Sequence, residues 1–204
     1  MFTIIKNRPA FLLAIMMLMS VNSFGQTNKP VTDYLSVPGP IVFDTKSFYL
    51  NWSSHPTASF YKQEYIPKGE QANEYKTMLL MDVMTGGATV KAAVAQKLAE
   101  LKQLKAANPL VNYSSVNNPK SGEYMIDFVL TANTPNGSVN IVERNVYRYK
   151  TFVDKAGHKG VVLFGISSRA YGAGVAPFFA SLKSTQNDLV KKVNLFKIPE
   201  INIR

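Results

Sequence analysis

The residues that could carry nucleophilic or metal chemistry are few in this chain. It has two histidines, His55 and His158, and no cysteine, and neither histidine has a second histidine or a carboxylate at ligand spacing on a predicted helix. Ser53, Ser54 and His55 are contiguous, and adjacent side chains rarely point at one another as a serine–base pair requires. The chain also lacks a Gly-x-Ser-x-Gly elbow. No metal site, no cofactor and no serine hydrolase are therefore predicted, and these residues are expected to end a strand and cap a turn.

Two acidic residues, Asp82 and Asp127, lie inside segments that otherwise read as apolar strands. Burial raises the pKa of a carboxyl group unless the group is paired. Arg144 and Arg148 are the obvious partners, so a structural salt bridge or an outward-facing acid is expected for each. The enzyme alternative is a hydrolase or lyase acting on envelope polymers with Asp or Glu and His55.

One predicted strand, residues 138–152, has three cations on one face and tyrosines on the other, because side chains alternate along a strand. The candidate ligand-binding residues on this strand are Arg144, Tyr147, Arg148, Tyr149 and Lys150. Such a ridge could bind an anionic polymer or headgroup, since arginine makes bidentate contacts with anions. The alternative is the solvent face of an amphipathic strand that acidic neighbours partly neutralise.

A second candidate binding segment precedes the last predicted helix and contains Arg169, Gly172 and Gly174. Backbone N–H groups at a strand-to-helix turn can hold an anion, and Arg169 would add a positive charge. Pro177 stands where a third glycine would be needed, so the segment is not a dinucleotide fingerprint. A tight turn explains the glycines equally well.

The first 25 residues predict export. Lys6 and Arg8 precede a short apolar run at residues 11–19, and Ser23 and Gly25 are the small residues that a signal peptidase reads, with cleavage before Gln26. The apolar run is shorter than the ~20 residues of a membrane-spanning helix. Without cysteine, a lipid anchor is not expected, and the product is expected to be soluble in the periplasm or outside the cell.

Export would leave a basic chain. Removing residues 1–25 removes two basic and no acidic side chains, so 179 residues with 21 basic and 13 acidic side chains remain, a formal charge of +8. These charges are dispersed, without a run of five or six like charges, which favours a solvated surface and makes nucleic acid an unexpected partner.

Hydrophobic periodicity predicts an α+β fold with the order βββαββββα: about seven strands in a mainly antiparallel sheet covered by two amphipathic helices. In the first strand, Phe48, Leu50 and Trp52 alternate with Tyr49, Asn51 and Ser53, which places the two sets on opposite faces. Predicted strands cover residues 48–52, 61–66, 78–84, 111–116, 124–130, 138–152 and 161–167, and the helices begin after Thr89 and near Pro177. The predicted organisation is a signal peptide at 1–25, an extended Pro-rich lead-in at 26–40 and a single domain at 41–204.

Three phrases carry a resemblance: residues 51–56 (Asn-Trp-Ser-Ser-His-Pro), 61–65 (Tyr-Lys-Gln-Glu-Tyr) and 143–150 (Glu-Arg-Asn-Val-Tyr-Arg-Tyr-Lys). With the signal ending in Ser-Phe-Gly-Gln, the chain resembles small exported Bacteroidota proteins of unassigned function. Its element order is similar to the PsbP-like α/β/α sandwich, which implies a non-enzymatic accessory or binding protein.

The resulting expectation is an exported binding or accessory domain of the cell envelope with no evident catalytic site. Its expected partner is an anionic small molecule, an envelope polymer or a protein. Two alternatives remain open: the hydrolase or lyase described above, and a structural subunit of an envelope complex.

Overall fold

The computed structural model describes residues 30–204. The predicted signal peptide, its cleavage before Gln26 and the first part of the lead-in lie outside these residues. The strands are β1 (Ile41–Phe43), β2 (Lys46–Thr57), β3 (Phe60–Pro67), β4 (Thr77–Met84), β5 (Asn112–Asn118), β6 (Glu123–Asn133), β7 (Val139–Val153) and β8 (Lys159–Tyr171). The helices are α1 (Val90–Ala107), between β4 and β5, and α2 (Val175–Leu195), after β8.

All eight strands form one antiparallel sheet in the order β1-β2-β3-β4-β8-β7-β6-β5. The fold is mostly β, and the predicted order βββαββββα with about seven strands is wrong, because four strands precede α1. The missed strand is β1, which lies between Pro40 and a turn at residues 44–45 that has positive φ angles. It buries Ile41 and Phe43 and exposes Val42, but three residues are too few for periodicity to indicate a strand.

The first face of the sheet packs against α1. Thr89 caps this helix as predicted, its hydroxyl accepting a hydrogen bond from the Ala92 N–H at 3.2 Å. Val94 and Leu101 of α1 belong to a core with Ile126 of β6 and residues from β4, β7 and β8. The main contacts of α1 are with β5, β6, β7 and β8, so this helix covers only one half of its face.

The second face packs against α2 and against the two ends of the described chain. Leu35 from the predicted lead-in and Ile201 from the C-terminal segment belong to a core with Phe164 of β8 and Val193 of α2. The two end segments also bond to each other, since the Asn202 N–H donates to the Leu35 carbonyl at 3.0 Å. The face opposite α1 is therefore covered both by a helix and by extended chain.

One helix lies on each face of the sheet, close to the cover predicted from the sequence, but α1 is displaced towards β5 to β8. On the α1 side, the half formed by β2 and β3 carries side chains beyond the main contacts of α1. This uneven cover leaves part of the sheet available to a ligand, and the site described below lies there.

Candidate functional site

A β-bulge in β2 determines which side chains reach the uncovered half-sheet. Leu50 pairs with Tyr65, which belongs to the α2-side core, but the register shifts between Leu50 and Trp52, and Trp52 pairs with Glu64. Glu64 precedes Tyr65 on β3, so its side chain lies on the opposite face, and directly paired residues share a face. The bulge at Asn51 therefore turns Trp52 to the α1 side, and the prediction that it shares a face with Leu50 is wrong.

The predicted end of this strand at residues 53–56 is also wrong. β2 continues through Pro56 to Thr57, with a second register shift between Ser54 and Thr57. Pro56 is tolerated because it lies in this irregular part of the ladder, where a missing N–H removes no regular hydrogen bond.

The uncovered half-sheet, hereafter the open face, consists of Tyr49, Trp52 and Ser54 of β2 and Lys62 and Glu64 of β3. Tyr49 and Trp52 are 41% and 42% exposed, a large fraction for aromatic side chains on a sheet. Their pairing partners are Ile66 and Glu64, so both rings stand on the same side of the ladder. Exposed aromatic groups beside polar side chains are typical of ligand-binding surfaces.

Asp82 of β4 lies at the inner border of the open face. It pairs in register with Lys62, and the Lys62 ammonium lies 4.0 Å from the Asp82 Oδ2. The side chain is 8% exposed, and Oδ1 is the one buried side-chain polar atom in residues 30–204 that has no hydrogen-bond partner. Burial raises the pKa of Asp82 to about 7, with the Lys62 charge opposing and the Glu64 charge adding to the rise.

Glu64 lies between Trp52 and the centre of the sheet. Partial burial raises its pKa above the ordinary range, while the charge of Lys62 lowers it. Among residues 30–204, Glu64 has no ion-pair partner within 4.0 Å. Its carboxylate thus remains free to accept hydrogen bonds from a ligand.

A hydrogen-bonded network on the same side fixes the next row of the sheet. Glu143 accepts hydrogen bonds from the Tyr75 hydroxyl at 2.6 Å, from Arg169 Nε at 2.7 Å and from Asn145 Nδ2 at 2.9 Å. Arg169 also lies over the Tyr75 ring at 4.2 Å, and Ser167 donates to Asn145. Because the carboxylate of Glu143 has several donors, this network holds the loop before β4 against the sheet.

The predicted ligand-binding residue Arg169 is a member of this network. The glycines predicted with it, Gly172 and Gly174, bound a single 3₁₀ turn that leads into α2. Gly172 has φ +51°, a left-handed conformation that glycine adopts without strain, and no side chain caps the start of α2 at Gly174. An anion-binding role of these three residues stays a prediction, and the structure shows Arg169 paired with Glu143 instead of facing the turn.

Arg144 lies on the α2 side of β7, where it forms a salt bridge with Asp127, one of the two alternatives expected from the sequence. The other acid, Asp82, lies beside Lys62 and not beside either arginine. Its Nε and Nη2 donate to the two Asp127 carboxylate oxygens at 3.0 Å each. The guanidinium also donates to the carbonyls of Thr185 at 3.3 Å and Gln186 at 2.9 Å in α2. With 4% of the side chain exposed, Arg144 holds α2 on the sheet and presents no ridge to solvent.

Arg148 has a similar arrangement at the C-terminal end of α2, whereas Arg144 bonds to its middle. It donates to Glu123 at 2.9 Å and to the carbonyls of Val193 and Phe196 at 3.3 and 2.8 Å, which places a cation at the negative end of the helix dipole. Lys150, half exposed, lies 3.6 Å from the same Glu123. A ligand role for these cations stays a prediction, and any anion would compete with the carboxylates that already pair with them.

Tyr147 and Tyr149 face α1, opposite the cations of the same strand, as the alternation predicts. Tyr147 packs edge-on against Phe128 with ring centroids 4.9 Å apart. Its ring also covers Gly165, where an added Cβ would lie 2.8 Å from the Tyr147 Cδ1. Both tyrosines are buried core residues on the face of β7 opposite the half-exposed Lys150.

The residues proposed for an enzyme are not brought together. His55 stacks on Tyr61 with ring centroids 4.1 Å apart, and Tyr61 belongs to the core on the α2 side. Asp82 lies on the α1 side, where Leu80 of the same strand faces α1. Asp127 is paired with Arg144. His158 interacts with Asp154, its Nδ1 lying 2.7 Å from the carboxylate, at the turn between β7 and β8.

None of Tyr49, Trp52, Lys62 and Glu64 is among the residues predicted from the sequence to bind a ligand. The sequence contains one signal for this group of residues: Trp52 is the single tryptophan of the chain. Simple alternation directs it into the core, and only the bulge at Asn51 brings it to the surface.

Two further properties concern residues 30–204 alone. Among them no group of three or more His, Cys, Asp or Glu side chains is placed to hold a metal ion. No helix in this part of the chain has the length and apolar character needed to cross a membrane.

Comparison with known proteins gives a family and no activity. No curated protein and no solved structure matches the chain. The model of an uncharacterised protein family matches residues 35–198, which include all eight strands, both helices and the open face. Since this match extends over more than half of the sequence, the chain belongs to that family.

Proposed function

We propose that this protein is an exported binding domain of the cell envelope that holds a polymeric ligand on the open face. The observation that carries the proposal is the bulge at Asn51, which exposes the only tryptophan beside Lys62 and Glu64. Bulges are frequent next to functional sites because they redirect a side chain. Trp52 and Tyr49 expose aromatic surface on the same side of the ladder, and this pair supports a binding role for the open face.

The shape of this surface favours a polymer over a small molecule. Small-molecule sites are usually concave and enclose most of the ligand. The open face is instead part of one face of a β-sheet, beyond the main contacts of α1. Two clefts of about 400 and 360 Å³ lie elsewhere, along the C-terminal segment near Phe196 and Ile201, and contain neither Trp52 nor Glu64.

The other parts of this proposal rest on the sequence. Export is supported by the charge and apolar pattern of residues 1–25. Kinship with exported Bacteroidota proteins is supported by the sequence phrases alone, and no match supports the likeness to the PsbP-like sandwich. A structural subunit of an envelope complex is the alternative, in which a partner protein would cover the open face.

The experiment is retention of the purified protein by washed bacterial envelope fragments, with and without protease treatment of the fragments. Trp52→Ala is expected to weaken retention about 30-fold, as truncation of a central aromatic contact does. Leu195→Ala is the matched control, since this side chain is 70% exposed at the far end of α2. Unchanged retention of the Trp52 variant would refute the proposal, and retention lost on protease treatment would favour the structural-subunit alternative.

A further inference from the structure

We infer that the ligand of the open face is an uncharged polysaccharide, whose sugar rings stack on Trp52 while their hydroxyls bond to Glu64 and Lys62. This inference rests on the proposed function and names the chemical class that the same surface recognises. It is argued from the hydrogen-bonding groups of the open face and from their charge balance.

The open face offers one acceptor and one donor on the same strand. Glu64 has no ion-pair partner among residues 30–204. Lys62, whose side chain is 15% exposed, lies over the Phe60 ring at 5.8 Å and 4.0 Å from Asp82, a distance longer than a charge-assisted hydrogen bond. Their Cα atoms are two residues apart on β3, a spacing of about 7 Å. That separation suits two hydroxyl groups on the rim of one sugar ring, or on two linked rings.

Trp52 provides the flat apolar surface that such a ring needs. The indole stands beside Glu64 in the directly opposed position of the ladder, where Cβ atoms are about 5 Å apart. A pyranose ring has an apolar face of C–H groups and a rim of hydroxyls. Stacking on the indole would therefore bring the hydroxyls to the carboxylate of Glu64, and Tyr49 provides a second ring on the same side.

The charge balance of the site disfavours charged polymers. Lys62 is opposed by Glu64 and by Asp82, whose raised pKa leaves it partly neutral near pH 7, while Glu143 and Arg169 neutralise each other in the next row. An anionic polymer would meet the Glu64 carboxylate, and a cationic one would meet the Lys62 ammonium. The excess of positive charge on the whole chain, formally +10, is thus not located on this surface.

The strand pairing leaves one other occupant to be tested, an extended peptide. β1 pairs with β2 at residues 46–48 alone, so residues 49–57 of β2 have no partner strand on their outer side within residues 30–204. A peptide that recognises a sheet usually adds a strand to such an edge through main-chain hydrogen bonds. Such a peptide would not need the Glu64 carboxylate, so the effect of Glu64→Gln distinguishes it from a polysaccharide.

The single tryptophan allows a direct test, because the emission of Trp52 reports on this site alone. The protein is titrated with three soluble oligomer series: neutral N-acetylglucosamine or glucose oligomers, anionic oligogalacturonate or heparin fragments, and cationic glucosamine oligomers. We expect a saturable shift of Trp52 emission with a neutral series, unaffected by salt between 50 and 500 mM. Glu64→Gln is expected to weaken this binding about tenfold, as loss of a charge-assisted hydrogen bond does.

The control variant is Glu74→Gln, in the loop outside the open face, which is expected to bind like the wild type. A salt-sensitive response to only a charged series, or an affinity unaltered by Glu64→Gln, overturns the inference. If no series binds while envelope fragments still retain the protein through Trp52, the polysaccharide class is wrong and the proposed function stands. If Trp52→Ala leaves envelope retention unchanged, the proposed function itself fails.

Discussion

Replacing Asp82 with asparagine is expected to stabilise the protein at neutral and alkaline pH and to have little effect at pH 4. The carboxyl group is almost completely buried, and Oδ1 has no hydrogen-bond partner within residues 30–204. Burial raises the pKa of Asp82 from 3.8 to about 7 in spite of the opposing charges of Lys62 and Lys97. The ionised form is therefore the unfavourable one in the folded protein.

The sign follows from proton linkage. Between pH 4 and pH 7 the folded protein keeps a proton on Asp82 that the unfolded chain has lost, so the free energy of unfolding falls as the pH rises through this window. A difference of about three pKa units corresponds to roughly 4 kcal/mol, and the whole loss is present above pH 7. Asparagine has nearly the same shape as aspartate and does not ionise. The free energy of unfolding of the variant therefore does not contain this decrease with pH.

The assay is urea unfolding followed by Trp52 emission at pH values from 4 to 8.5, for the wild type and Asp82→Asn. Subtracting the two free energies at each pH removes the contributions of other titrating groups. The difference should be small at pH 4 and approach about 4 kcal/mol in favour of the variant at pH 8. The exposed exchange Asp188→Asn is the control and should stay within about 0.5 kcal/mol. A difference independent of pH, or one that favours the wild type as the pH rises, would refute the reasoning.

Three other predictions follow from the same contacts. Arg144→Ala leaves Asp127 buried without its cation and should lower the free energy of unfolding by about 3–5 kcal/mol in urea, a loss that a purely exposed ion pair would not show. Gly160→Ala places a Cβ 1.9 Å from the Met84 carbonyl oxygen, so strand β8 must shift. The midpoint of thermal unfolding should therefore fall by an amount equivalent to about 1–3 kcal/mol or more. Intact mass of the exported protein should correspond to a chain that begins at Gln26, and a product retaining residues 1–25 would contradict the predicted cleavage.

Local signals predicted α1 and the hairpins from the sequence. Thr89 is a favoured N-cap residue, and the helix that follows ends at Ala107, directly before the Asn108-Pro109 pair. The turn at residues 134–137 joins β6 and β7 where Asn136 and Gly137 indicate it. Each of these features depends on residues that are close in sequence, and alternation or capping is sufficient to specify them.

The parts that could not be predicted depend on contacts between distant residues. The face of Trp52 is set by the register between β2 and β3, and a bulge of one residue reverses it without any change in the alternation of residue types. The alternation of β7 was sufficient to place Arg144 and Tyr147 on opposite faces, but not to show which face α2 covers. Alternation made Arg144, Arg148 and Lys150 a candidate site, and the fold pairs the two arginines with carboxylates and with carbonyls of α2.

The distribution of charge and aromatic groups over the two faces supports the open face as the binding surface. On the α2 side, the two arginines of β7, Arg144 and Arg148, are largely buried. Each is compensated by a carboxylate and by carbonyls of α2, so removing either partner leaves an unpaired buried group. On the α1 side, Trp52 and Glu64 are exposed or half-buried and have no comparable role in holding two elements together. Substitutions there should therefore change ligand affinity more than stability, whereas substitutions of Arg144 should do the reverse. That contrast separates a surface shaped by binding from one shaped by folding.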